Sequence, residues 1–191
     1  MEKNNSKKSL SRMTGLSIIS ALIVVLSVLA NFVRFGPFPI TLALCPIIVG
    51  AAVYGPSAGA FLGFVFSLMT FISGLLGWDG GSVMLMMNAS FVGLLIVCFS
   101  KGILAGWLSG LVYKKFGIIA ASVTCPVVNT GVFVLFMFIF FKDLLASWAG
   151  GSDIVSYVIL SLTGVNFLVE LAVNLVLASA AERIIRYASK K

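Results

Sequence analysis

The sequence predicts an all-α protein: an integral membrane bundle of six transmembrane helices, with the N- and C-termini cytoplasmic. Three observations predict it. Hydrophobic residues make up 60% of the chain and charged residues 10%, whereas soluble domains carry about 25% charged residues. The apolar residues gather into stretches close to the ~20 residues that a helix needs to cross a ~30 Å hydrocarbon core. The positive charges collect at alternate ends of those stretches. Six spans and their connections use up the chain, so one membrane domain over residues 13–186 is expected. A basic segment, 1–12, precedes it, and a basic tail, 187–191, follows.

The first span is expected over residues 13–31. Its flanks also resemble a secretory signal with Val28-Leu29-Ala30 at a cleavage position. The apolar run is long for a signal and five more follow, so it reads as an uncleaved helix. The connection Phe32 to Pro39 carries Arg34, Gly36 and two prolines, which disfavour helix at the residue before each. A short second helix, 40–54, contains Pro46. Gly55-Pro56 turns the chain into a third helix, 57–76. The polar loop Gly77 to Ser82 leads to an apolar segment from Val83 to Tyr113, too long for one straight span. A partly inserted half-turn up to Met87 followed by a helix over 88–113 accounts for it. Lys114-Lys115 closes that helix, and a fifth is expected over 118–141. The connection Lys142 to Asp153 is expected as a loop, and the last helix over 154–182.

Charge sets the orientation. With the N-terminus inside, the cytoplasmic side holds Lys3, Lys7, Lys8, Arg12, Lys114, Lys115, Arg183, Arg186, Lys190 and Lys191, out of 13 Lys and Arg in all. Arg34 and Lys142 fall outside, and Lys101 lies within a span. That asymmetry follows the positive-inside rule. The net charge of +7 therefore reads as attraction to anionic membrane lipid, not to nucleic acid. A bacterial plasma membrane is the expected location.

Several chemistries are poorly supported. The chain has no histidine and three cysteines, Cys45, Cys98 and Cys125, all within apolar runs and without paired spacing. Neither a zinc site nor a disulfide framework follows, and no cofactor is implied. No phosphate loop and no nucleophile elbow is present. One acidic residue lies deep in the spans, so a carboxylate dyad is missing. An enzyme is not expected, and neither is a self-sufficient pump.

What remains is a set of polar residues carried into the spans, where a charge costs roughly 2.5–3.5 kcal/mol on insertion scales. Asn166, Glu170 and Asn174 recur every four residues, on one stripe of the last helix. They suit either a ligand or interhelical hydrogen bonding. Asn129-Thr130 follows Pro126 in the fifth helix, as a binding feature or part of a kink. Lys101 is placed to hold a substrate carboxylate, to pair with Glu170, or to snorkel. Arg34, with Asn31, ends the first helix, as a steering charge or an interface anchor. Ser17 with Ala21, Gly59 with Gly63, and Gly102 with Gly106 and Gly110 are small-residue pairs that allow close helix approach.

Several stretches together resemble the substrate-binding S component of energy-coupling factor (ECF) vitamin transporters. They are Phe38-Pro39-Ile40-Thr41-Leu42, Pro46 to Ala51, Tyr54 to Phe64, Lys101 to Lys115, Asn129-Thr130-Gly131-Val132, and Val165 to Asn174. The succession is most similar to the pantothenate branch. Two features depart from it. Ser100-Lys101 stands where relatives have an arginine, and Gly77 to Met87 lacks a longer Pro- and Ser-rich insert.

The resemblance implies a subunit that captures a water-soluble vitamin, pantothenate or another small vitamin or precursor, in a pocket near the outer face. Asn129, Asn166, Glu170 and Lys101 would meet the substrate, and Trp78 and Asn88 would lie on or near a lid. It also implies a transmembrane T subunit, two cytoplasmic ATPases and toppling within the membrane to deliver substrate. The family's Ala-x-x-x-Ala contact motif is represented here by Ser17 and Ala21. A stand-alone secondary transporter and a non-transport enzyme or scaffold are the competing readings.

Overall fold

A computed structural model describes residues 2–32 and 41–188. Arg34 lies outside the described residues. Among those described the chain is entirely helical, in the order α1 (Glu2–Ala30), α2 (Leu44–Tyr54), α3 (Pro56–Leu75), α4 (Ser82–Ala89), α5 (Phe91–Phe140), α6 (Lys142–Ala149) and α7 (Ile154–Ser156). A π-helical segment, Tyr157–Gly164, then leads into α8 (Val165–Ala188).

Local chemistry places the breaks. Gly55 has φ +91°, which lets α2 turn directly into α3, and Pro56 opens α3 at a position where its missing N–H costs nothing. Ser90 is extended and separates α4 from α5. Its hydroxyl accepts the Gly93 amide at 3.1 Å, capping the new helix. Gly117 has φ +79° and ψ −171° and breaks α5 into 91–116 and 118–140. A backbone at that φ is open to glycine and strained for other residues.

Among the described residues, four helical stretches are long and apolar enough to cross a membrane: Leu10–Ala30, Pro56–Leu75, Phe91–Phe140 and Ile154–Ala178. At about 1.5 Å per residue, Phe91–Phe140 would reach roughly 75 Å if straight. The turn at Gly117 folds it into two lengths that each match a bilayer. The second helix is shorter than expected. Over Leu44–Tyr54 it is about 16 Å long, half of a hydrocarbon core.

Three other expectations are corrected. Helix resumes after Ser90 and not at residue 88, so Asn88 belongs to α4. The connection 142–153 contains α6, amphipathic enough to bury Leu145 and Ala149 while Lys142 and Asp143 stay exposed. The last span is not uniformly α-helical. It carries the π segment, in which the Thr163 hydroxyl donates to the Val158 carbonyl at 2.8 Å.

Two apolar clusters organise the interior. One gathers Ile23, Leu44, Ile47, Leu62 and Cys125 with their neighbours. The other gathers Val83, Met86, Leu94, Met137, Phe141 and Leu145 around the ends of α4, α5 and α6. The closest packing is between α3 and the first half of α5. A Cβ on Gly59 would strike the Gly106 carbonyl, and one on Gly63 the Gly102 carbonyl. Small residues at these four positions let the two backbones touch.

Candidate functional site

A cavity of about 110 Å³ opens between the two apolar clusters. One ordered water needs only ~10–15 Å³ by this measure, so the space suits a small organic solute. Its wall draws on α1, α3, α4, both halves of α5 and the last span. Ser27, Ala30 and Asn31 come from the end of α1, Thr41 to Ala43 from the entry to α2, and Phe66, Thr70 and Ser73 from α3. Asp79, Val83 and Met86 close one side, Lys101 stands on the first half of α5, and Asn129, Thr130 and Phe133 stand on the second half. Thr163, Asn166, Phe167 and Glu170 complete it from the last helix.

The polar groups on this wall are held in unlike ways. Glu170 is 4% exposed. Its Oε1 accepts the backbone N–H of Thr41 at 2.9 Å, tying α8 to the entry of α2 across 129 residues of sequence. Its Oε2 is buried and has no partner among the described residues, and the same holds for Asn129 Oδ1. An acceptor buried without a donor costs about 1–3 kcal/mol, so both oxygens call for a donor from whatever fills the cavity.

Lys101 does not close an ion pair with Glu170. Its ammonium lies 5.8 Å from the centroid of the Phe66 ring and 5.3 Å from that of Phe133, within the ~6 Å range of cation–π attraction. The rings hold the charge in place, and among the described residues its N–H donors make no direct ion pair. Asp79, by contrast, is fully engaged. Its Oδ1 accepts the Gly81 amide at 3.0 Å and its Oδ2 the Val83 amide at 2.6 Å. These are orphan donors at the start of α4, where the helix dipole also favours a negative charge.

Of the residues singled out in the sequence, Asn129, Asn166, Glu170 and Lys101 come together on the cavity wall. Trp78 and Asn88 do not line it, and both are solvent- or lipid-accessible. Asn174 also stays off the wall. It is buried, and its Nδ2 donates to the Glu170 carbonyl at 2.7 Å. A four-residue step overshoots a helical turn by about 40°, so the third member of the stripe rotates away from the space the first two face. Ser17 and Ala21 are exposed on α1, remote from the cavity.

Among the wall features that escaped the sequence reading are Asp79, the Thr41 amide, and the Phe66 and Phe133 rings. Asp79 carries a signal, since an acidic residue just ahead of a helix is a capping pattern. A backbone amide such as that of Thr41 carries none. Asn31 donates to the Ser27 carbonyl at 3.1 Å and to the Ser73 hydroxyl at 3.2 Å, which joins α1 to α3 at the cavity rim.

Fold and site together define a class: a helical membrane protein that encloses a solute-sized polar cavity between its spans. The chain belongs to the family described as ECF transporter, substrate-specific component, whose pattern matches residues 11–181. This is a family of transporter components, not of enzymes. The chain is 28% identical over 188 residues to the pantothenic acid transporter PanT of Lactococcus lactis subsp. cremoris (strain MG1363), covering 91% of this chain and 93% of that protein. No solved structure matches it.

Proposed function

We propose that this chain is the capture subunit of an ECF-type importer for pantothenate. It binds the vitamin with high affinity on the outer side of a bacterial plasma membrane and delivers it through a transmembrane T subunit and two cytoplasmic ATPases. The observation that carries this reading is the cavity in which, among the described residues, Lys101 makes no direct ion pair while Glu170 Oε2 and Asn129 Oδ1 have no donor. Pantothenate offers the complement: one carboxylate for Lys101, and hydroxyl and amide hydrogens for the two oxygens and for Asn166. The relative named for pantothenic acid supports the same substrate.

In this reading the chain crosses the membrane six times, with α2 and each half of α5 counted as separate crossings. Both termini are cytoplasmic, and the cavity, at the end of the bundle where α1 finishes, opens outward. Asp79 to Met86 cover it in place of Trp78 and Asn88. Arg34 draws the anion toward the opening. The exposed Ser17 and Ala21 form part of the contact with the T subunit.

The test is direct. The protein is purified alone, retained small molecules are identified by mass spectrometry, and pantothenate binding is titrated. Binding by the isolated chain is expected, with no uptake into liposomes unless the T subunit, the ATPases and ATP are present. Uptake by the chain alone would refute the dependence on partners, and an absence of pantothenate binding would refute the substrate.

A further inference from the structure

The cavity wall holds one lysine and two acidic side chains among the described residues, and each stands in a different electrostatic condition. Asp79 has its charge matched locally by two backbone amides at the start of α4. Lys101 rests between two aromatic rings, which attract the ammonium but accept none of its hydrogen bonds in the ordinary sense. Glu170 gives one oxygen to the Thr41 amide and leaves the other buried and unmatched.

We infer that Glu170 is a specificity filter: its unmatched oxygen admits a monocarboxylate whose remaining polar groups are hydrogen-bond donors, and turns away the same molecule once it bears a phosphate. A solute carboxylate beside Lys101 uses the one cation on the described wall. A hydroxyl or amide N–H then satisfies Glu170 Oε2. A phosphate in that position brings two further negative charges against a buried carboxylate, with no second cation on the described wall to offset them. The cavity is thereby selective for the unphosphorylated form. The identity of the solute rests on the functional reading above, and the filter is a separate claim about charge.

The experiment displaces radiolabelled pantothenate from the purified full-length chain. The competitors are pantothenate, its ester with phosphate on the terminal hydroxyl, and its uncharged acetyl ester on the same hydroxyl. The acetyl ester controls for bulk. It is expected to compete within about tenfold of pantothenate, and the phosphate ester on the order of 100-fold more weakly. In Glu170→Gln, whose amide can donate to a phosphate, the gap between the two esters is expected to fall below about tenfold. The filter is overturned if the phosphate ester competes as well as the acetyl ester, or if both are equally weak in wild type. It is also overturned if Glu170→Gln binds pantothenate and keeps the full gap. The wild-type comparison of the two esters decides the matter even where that variant does not fold. Failure of labelled pantothenate to bind overturns the functional reading and the filter with it, whereas binding without a difference between the esters overturns the filter alone.

Discussion

Replacing Gly63 by valine tests how the helix contact behind the cavity sets its geometry. An ideal Cβ at Gly63 would stand 2.6 Å from the Gly102 carbonyl carbon and 3.1 Å from the Ile103 nitrogen, where ordinary contact begins near 3.4 Å. All of these are backbone atoms, so no side chain can rotate aside. The helices must part by at least about 0.8 Å to clear the carbonyl carbon, and further to clear the carbonyl oxygen, which lies nearer still. Overpacking of this kind costs about 1–3 kcal/mol. In a chain of this length that corresponds to a fall of roughly 2–12 °C in the thermal midpoint.

The site should register the same change. Phe66 lies on α3 and Lys101 on α5, and their 5.8 Å separation is already near the limit for cation–π attraction. Parting the helices takes the ring out of range, and pantothenate affinity is expected to drop about two- to fivefold. The assay is thermal denaturation in detergent, followed by size-exclusion fluorescence, with parallel binding titrations. Gly131→Val is the control, because a Cβ at Gly131 meets nothing within 4 Å. The reasoning fails if Gly63→Val is as stable as wild type, or if both substitutions destabilise equally.

Other perturbations probe single groups. Asn129→Leu removes a buried amide while keeping the branched shape of the side chain, so the fold should persist and pantothenate affinity should fall about 2- to 13-fold; an unchanged Kd would remove Asn129 from the contact. Asp79→Ala strips the Gly81 and Val83 amides of their acceptor. A loss of about 1–2 kcal/mol is expected as a lower thermal midpoint, with Asp79→Asn milder because its carbonyl still accepts one bond. Lys101→Met is expected to abolish the preference for pantothenate over its uncharged carboxamide, measured by competition. Asp153 lies just ahead of the last span and its carboxylate accepts the Ser156 amide at 2.8 Å, which lowers its pKa below the ordinary 3.8. Its support for the helix start is therefore complete above about pH 4 and is lost as pH falls through the depressed value. The protection factor of the Ser156 amide, its exchange rate relative to the intrinsic rate at each pH, should fall over that acid range and hold steady between pH 5 and 8.

The helical, membrane-bound character was legible because it depends on composition and run length alone. Any chain with these apolar stretches must satisfy its backbone internally once water is gone. Asn129, Asn166, Glu170 and Lys101 were legible for a related reason: a polar group in oil is conspicuous wherever it stands, and each requires a partner. Gly59, Gly63, Gly102 and Gly106 were visible as a pattern of small residues, although the pattern does not say which helices meet.

The rest depended on through-space neighbours. Thr41 and Glu170 meet by packing across the bundle, and no spacing in the chain announces a backbone amide as a carboxylate's partner. Lys101 was equally open to pairing with Glu170 until Phe66 and Phe133, from two other stretches of helix, closed around it. Ser90 and Gly117 moved the ends of the long apolar segments, because a single residue's φ and ψ redirect a helix whose composition is uniform on either side. The drift of Asn174 off the cavity wall has the same origin: periodicity assigns a side chain to a stripe, and only the packed neighbours decide how much of that stripe faces open space. Solvent preference is a local property of the residues and can be read along the chain, whereas a binding site is a coincidence of distant segments that exists only once they are folded together.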